Sequence, residues 1–506
     1  MNKTPEKKVA WNRGTAVKSV FLFCVHLLLL LACELVVLVW DKSGEFTSTF
    51  KVNRANYMYI GFCTVLLVWI MYLYFFFENR ELLKEGKMIT LIFVVLEISL
   101  LISAAFGEYV GIYARPVALA ALLILFLVGR KDAVFVNIVF AVIMFIVDNF
   151  ANVGQSDKNI YSSFVITFVA GMLAIFFGNT AKTRFQVVRI GFLIVLPIEV
   201  IIFLLETSSL AETSAILDGS LSNVTMRSVF TEMGYGLLGG LLSVILFLAI
   251  LPAFEILFNR LTPFRLRELS SSDAKLLKKL KEEAPGTYNH SVVVAQLAEA
   301  CAEALGEDAD YARAAAFYHD VGKLHQPEYF TENQGEYNLH DELTPELSAD
   351  IIRSHTLDGY QLIKANHLPS FLADVALEHH GTLPIRYFYA KALKMTDGEL
   401  NVEDFSYTGP KPTSKIAAIL MIADASEAAS RSLPKRTPEE VEKVVAAIIE
   451  ERMDLEQFSD CDITMADLSR IKQTLVNTLS GVYHHRVKYP SVRYKRSGGK
   501  TTGENE

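Results

Sequence analysis

The chain has 506 residues, 52% of them hydrophobic and 21% charged, with a mean hydropathy of +0.31 and a net charge of −8. That balance is too apolar for an ordinary soluble enzyme and too charged for a pure channel, and it excludes a disordered chain and a disulfide scaffold. A pI near 5.9 argues against a basic surface for a nucleic-acid polymer.

The composition divides near residue 258. Residues 1–258 hold the long apolar runs, all three Trp and one His of eleven, whereas 259–506 hold the other ten His. A multi-span membrane region followed by a large water-soluble half is expected. Residues 1–17 read as a cytoplasmic N-terminus. The first transmembrane helix, 18–40, is longer than the apolar core of a cleaved signal peptide, and no small-residue cleavage site follows it. A short external loop covers 41–56. Seven more apolar segments, at 57–77, 88–106, 112–128, 133–148, 160–178, 187–205 and 235–258, make a seven-helix transmembrane domain over 57–258. About 20 apolar residues are needed to cross roughly 30 Å of hydrocarbon, so 112–128 and 133–148 are the short ones.

Alternate loops carry thirteen Lys and Arg on the N-terminal side, among them Arg13, Arg80, Lys84, Arg130, Lys131 and Lys182, against six on the other. By the positive-inside rule, eight crossings then place both termini in the cytoplasm. His26, Glu34, Glu97 and Glu199 fall inside the spans, where they either pair within the bundle or form a ligand site. The long external loop at 206–234 either caps an outward-facing pocket or is a surface helix. No inverted repeat favours a transporter. Cys24, Cys33, Cys63, Cys301 and Cys461 include no CxxC pair and read as reduced thiols.

A juxtamembrane linker over 259–285 opens with Arg260, Arg265 and Arg267, and Ser270–Asp273 is a helix-start signal before Leu276, Leu277 and Leu280. Residues 286–490 show helical periodicity nearly throughout, and 491–506 reads as a disordered tail. The fold class is therefore all-α, a helical membrane domain followed by an all-helical cytoplasmic domain.

Within the soluble half, His290, His319, Asp320, His355, His379, His380 and Asp424 sit at or near the ends of expected helices. Imidazoles with carboxylates suit first-row divalent metals, and seven ligands exceed what one ion takes. Two ions sharing a bridging carboxylate fit the number. Such a pair holds a water between them as hydroxide and clamps a phosphoryl group.

HDVGK at 319–323 matches the hallmark of the HD phosphohydrolase superfamily. With the flanking APGTYNHS, SHTLDGY, EHHGT and IADASEAASRSL, residues 265–490 resemble the cyclic di-AMP phosphodiesterases of the seven-transmembrane-receptor HD family, the PgpH type. The resemblance implies a bacterial cell-membrane enzyme that opens cyclic di-AMP to pApA with two divalent ions, iron or manganese. It implies that His290, His319, Asp320 and Asp424 hold one ion. Asp320 would bridge to the second, held also by His355, His379 and His380. Lys323 would neutralise a phosphate oxygen. Two departures stand out. The gap DKSGEFTSTFKVNRAN is too short for the family's usual extracellular domain, so a signal would enter through the spans or from the cytoplasm. Asn289 also stands where His is common, outside the ligand set.

Other residues carry weaker signals. Arg431 either reaches a substrate phosphate or pairs with Glu427 one turn back, and Tyr288 either stacks on a base or packs. His340-Asp341 lacks the following GK and reads as a loop or cap pair. His325 and His367 read as surface or packing residues, and the His484-His485 pair, beside the basic tail, reads as solvated. Text after the His pair, HHGTLPIRYFY, lacks the GYP motif of cyclic di-GMP enzymes. The alternatives are an HD hydrolase of another nucleotide or phosphate ester, and a membrane receptor whose HD half is a regulatory output. A homodimer through 259–285 stays open beside a monomer.

Overall fold

The computed structural model describes residues 11–39, 54–151, 157–208, 223–335, 337–395, 398–434 and 437–482. The sequence expectations for 41–53, residues 209–222 of the 206–234 loop, His484, His485 and the 491–506 tail lie outside the described residues, while 206–208 and 223–234 are helical. The chain is all-α, and among the described residues the only β-pairing is one bridge between Pro384 and Ser406. It forms two compact units, Met1–Lys278 and Lys279–Glu506.

The first unit contains α1 (Arg13–Val39), α2 (Arg54–Glu78), α3 (Arg80–Lys84), α4 (Gly86–Tyr109), α5 (Leu119–Leu127), α6 (Arg130–Ala151), α7 (Asp157–Gly178), α8 (Arg184–Ser208), α9 (Asn223–Leu257) and α10 (Pro263–Leu269). Seven of these are long and apolar enough to cross a membrane. Their outward positions are apolar, with Phe62, Phe176 and Leu196 exposed, while His26, Glu97, Arg115 and Asp148 are buried. Apolar outside and ionisable inside is the arrangement that hydrocarbon, not water, selects.

The expected helix at 112–128 needs correction. A 3-10 turn at Ile112–Ala114 precedes a helix of only nine residues, Leu119–Leu127, about 13 Å long and too short to cross alone. Proline disfavours the helical region for the residue before it, and Arg115, preceding Pro116, is extended at φ −65°, ψ 132°. Gly239 of α9 accommodates this break, because a Cβ there would lie 2.6 Å from the Tyr113 carbonyl oxygen. The segment nevertheless runs the length of the bundle. At one end Arg115 makes paired bonds of 2.6 and 2.9 Å to Asp148, with Ser163 at 3.0 Å, and the Tyr113 hydroxyl donates to Glu206 at 2.6 Å. At the other end Arg260 donates to the Leu127 carbonyl at 2.9 Å, Lys131 pairs with Glu78 at 2.5 Å, and Asn79 donates to Asp132 at 2.9 Å. Arg80, beside these groups, lies 4.5 Å from the Trp11 ring. Trp11 and Arg260 thus share one end, so the chain makes an even number of passes between them.

The acidic residues in the spans take the paired alternative in two cases. His26 Nδ1 is 3.0 Å from Glu97, and the Thr64 hydroxyl donates to Glu34 at 2.8 Å. A cavity of about 450 Å³ opens at the Arg115 end, lined in part by Glu108, Asp148, Glu206 and Glu232.

α11 (Lys275–Glu283) spans the boundary between the units, and the second unit continues with α12 (Pro285–Leu305), α13 (Ala309–Tyr318), a 3-10 turn at Val321–His325, α14 (Pro345–Ala365), α15 (Ser370–Glu378), α16 (Arg386–Leu393), α17 (Lys415–Arg431), α18 (Pro438–Asp454) and α19 (Met465–Val482). Its helices start where side chains cap them: Asp308, Thr344, Ser414 and Thr437 each accept a backbone N–H of the first turn.

Candidate metal centre

The capped helices set the depth of the site. Asp308 fixes the start of α13, whose ten residues end at Tyr318 and place His319 at the C-cap and Asp320 just beyond. α15 ends in the same way, with His379 at its C-cap and His380 next. His290 and His355 project from within α12 and α14, and Asp424 from α17. Gly322 of the HDVGK run lets the turn lie against α14. A Cβ there would be 1.9 Å from the His355 carbonyl oxygen and 2.5 Å from the Gly359 nitrogen.

All seven expected ligands come together, in two groups. His290, His319, Asp320 and Asp424 form one, and His355, His379 and His380 the other. Asp320 faces both. Its Oδ2 lies 3.2 Å from His319 Nε2 and 3.8 Å from His290 Nε2, while its Oδ1 lies 3.4 Å from His355 Nε2 and 3.7 Å from His379 Nε2. Asp424 Oδ1 is 2.8 Å from His290 Nε2 and 3.7 Å from His319 Nε2, and its Oδ2 is 4.0 Å from His380 Nδ1.

The ring orientations suit a cation. His319, His355 and His379 each point Nδ1 at the carbonyl three residues back, at 2.7, 2.5 and 2.8 Å. A carbonyl only accepts, so Nδ1 carries a proton in all three and Nε2 is the nitrogen turned inward. His355 Nε2 and His379 Nε2 then face each other at 3.3 Å, two lone pairs that a shared cation would reconcile. His319 Nε2 and Asp320 Oδ1 are buried with no hydrogen-bond partner among the described residues. Backbone-anchored imidazoles around orphaned inward donors fit divalent ions.

The charge balance agrees. Burial alone would push the His290 and His319 imidazoles down, but the neighbouring carboxylates prevail. Asp424 and Glu427 bring His290 up to about 9, and Asp320 and Asp424 bring His319 up to about 10. Burial opposes ionisation of Asp320 and Asp424, yet the adjoining imidazoles and Lys323 hold Asp320, and the imidazoles Asp424, well below the usual carboxylate range. In the second group burial dominates and brings His355 down to about 3, with His380 also lowered. One group thus gathers positive charge around carboxylates, while burial keeps His355 and His380 of the other neutral.

The remaining expectations fare differently. Lys323 does not face open space. Its ammonium is 2.8 Å from Asp320 Oδ2 and 2.8 Å from Glu332 Oε1, because the 3-10 turn folds residue 323 back over residue 320. Arg431 takes the Glu427 alternative, with bonds of 3.1 and 2.6 Å to Oε1. Tyr288 is half-buried with the Lys281 ammonium 5.9 Å from its ring centre. His340 is buried and bonded to the Tyr329 carbonyl at 2.9 Å, a packing role.

Four residues near the site went unassigned in the sequence. Glu427 Oε2 is 2.6 Å from His290 Nδ1. Glu332 accepts from Lys323 and, at 3.0 Å, from the Thr287 hydroxyl. Tyr407 stacks on His380 with ring centres 4.3 Å apart. Glu378 accepts both the Thr413 N–H at 2.9 Å and its hydroxyl at 2.8 Å, tying the end of α15 to the approach to α17. Only Glu427 had a signal, its one-turn spacing from Asp424 on the same helix.

Residues 55–262 match the family model described as 7TM receptor with intracellular HD hydrolase, and residues 287–429 match the HD domain model. A Bacillus subtilis protein named cyclic-di-AMP phosphodiesterase PgpH is 37% identical over 83% of this chain and 57% of its own length. The Listeria monocytogenes protein of that name is 35% identical over 85% of this chain and 59% of its own length. The chain thus spans less than two thirds of the curated relatives it matches. A crystal structure of the L. monocytogenes PgpH HD domain with cyclic di-AMP is 48% identical, covering 42% of this chain and 99% of that one, with a TM-score of 0.41. Two family models in the same order, and relatives that share both regions, establish that this chain belongs to the seven-transmembrane-receptor HD family.

Proposed function

We propose that this chain is a membrane-anchored, divalent-metal-dependent phosphodiesterase that hydrolyses cyclic di-AMP to pApA. The observation that carries the reading is Asp320, whose two oxygens face the two ligand groups. His290, His319, Asp320 and Asp424 would hold one ion. Asp320, His355, His379 and His380 would hold the second, and iron or manganese suits this imidazole and carboxylate set. Two such ions, when bound, supply an activated water and Lewis-acid stabilisation of the phosphoryl oxygens.

The chain's own residues prepare that chemistry. Backbone carbonyls at Ala316, Ile352 and Ala376 fix three imidazoles in one tautomer. Lys323, held by Glu332, orients Asp320 and offsets its charge, and it is also the residue proposed to neutralise a phosphate oxygen. Tyr288 is the residue proposed to stack on a base. Adenine is supported by the names of the relatives and by the HHGT text in place of GYP.

The membrane region would comprise 18–40 and 57–258, followed by the linker 259–285 and the HD domain 286–490. Both termini would face the bacterial cytoplasm, a reading supported by the even number of passes and the bias of basic residues. A homodimer through 259–285 would follow the habit of output domains beside a membrane. The test uses the full chain in detergent micelles, loaded anaerobically with Mn²⁺ or Fe²⁺ and given cyclic di-AMP or cyclic di-GMP. pApA from cyclic di-AMP is expected, and a metal-loaded protein that produces none would overturn the reading.

A further inference from the structure

We propose that Glu427, braced by Arg431, is the positioning residue that fixes His290 as a metal ligand and sets the affinity of one ion of the pair. The inference rests on the reading of the site as a metal centre.

The other imidazoles with an anchored Nδ1 use a neutral backbone carbonyl, at Ala316, Ile352 and Ala376. His290 alone among them is anchored by a carboxylate, with Nδ1 2.6 Å from Glu427 Oε2. Both side chains are buried, Glu427 at 1% exposure and His290 at 7%. The other oxygen of Glu427 accepts twice from Arg431, so the carboxylate bridges a guanidinium and an imidazole. With Nδ1–H donated to Glu427, His290 Nε2 faces Asp424 Oδ1 at 2.8 Å. A lone pair and a carboxylate oxygen at that distance repel unless a cation or proton lies between them. Glu427 therefore commits His290 to one tautomer and raises its basicity as a ligand, as carboxylates behind metal-bound imidazoles do. Asp424 and Glu427 lie one turn apart on α17, so a single helix grips His290 from both sides. The effect is confined to the group of His290, His319, Asp320 and Asp424.

The full chain in detergent micelles, stripped and titrated with Mn²⁺, gives the test. Dissociation constants come from equilibrium dialysis, and the Mn²⁺ pair from electron paramagnetic resonance. Wild type should bind two ions. Glu427→Gln keeps the shape and an accepting oxygen but loses the charge. It should weaken one ion about 10-fold or more and leave the other at its wild-type affinity, with the metal-free melting temperature little changed. Arg431→Gln should weaken the same ion by less. In a His290→Ala background, Glu427→Gln should add no further loss, which a general structural role would not predict. Two ions at wild-type affinity in Glu427→Gln, or equal weakening of both, would overturn the role of Glu427 while leaving the metal centre standing. A wild-type chain that binds no ion would overturn the metal centre and this inference with it. Turnover is not the readout, so a failed substrate assignment leaves the result interpretable.

Discussion

Gly322→Ala is a stringent test of how the site is assembled. The added methyl would sit 1.9 Å from the His355 carbonyl oxygen, where ordinary contact begins near 3.4 Å, so the turn and α14 must separate by about 1.5 Å. The obstacle is backbone, so no rotamer change relieves it. That displacement acts between Asp320 and His355, whose facing atoms are 3.4 Å apart. Overpacking of this kind costs about 1–3 kcal/mol. A 1 Å misplacement of catalytic groups typically costs about 100-fold in rate. The expected variant is therefore folded, with a lowered melting temperature, but at least about 100-fold slower in pApA release. Its second Mn²⁺ ion should also be weakened. Gly335→Ala is the control, since a Cβ there meets nothing within 4 Å. Wild-type turnover in Gly322→Ala would refute the reasoning that close approach of the HDVGK turn to α14 holds the two ligand groups together.

Asp320→Asn should abolish turnover and lower bound Mn²⁺ from two ions per chain, as measured by elemental analysis; retained activity would refute the bridging role. Mn²⁺ affinity should rise with pH between about 6.5 and 9, because ion binding must displace protons that carboxylates hold on His290 up to about 9 and on His319 up to about 10. Calorimetry in buffers of different ionisation enthalpy reads the released protons, and a pH-independent affinity would contradict the assignment. Arg115→Ala leaves Asp148 buried without its partner and should destabilise the detergent-solubilised chain by about 3–5 kcal/mol. An unchanged melting temperature would refute the stabilising role of this buried pair.

Much of this architecture was legible because its signals are local. Apolar runs of span length and the HDVGK text are each contained in a few consecutive residues. The helix expected at 112–128 failed for a local reason as well: apolarity masked the restriction that Pro116 imposes on Arg115. The ligands were readable as a set because imidazole and carboxylate announce their chemistry. Their supports were not. Glu427 meets His290 across 137 positions, and the residues that engage Lys323 and Arg431 depend on how helices turn toward each other. A glutamate on an amphipathic helix looks the same whether it meets solvent or a buried imidazole.

The dispersion of the ligands also bears on biosynthesis. His290 and Asp424 are separated by 134 positions, and the intervening ligands come from three further elements. Before α17 has left the ribosome and docked, the nascent chain offers only adjacent pairs such as His319-Asp320 and His379-His380. If these residues hold ions, uptake would therefore follow folding of the HD unit rather than nucleate it. Ions that bind only the folded state stabilise it by mass action, about 2.7 kcal/mol when free metal stands at 100 times the dissociation constant. The half-life of the mature protein would then track the cell's supply of free divalent metal, making its abundance responsive to metal starvation.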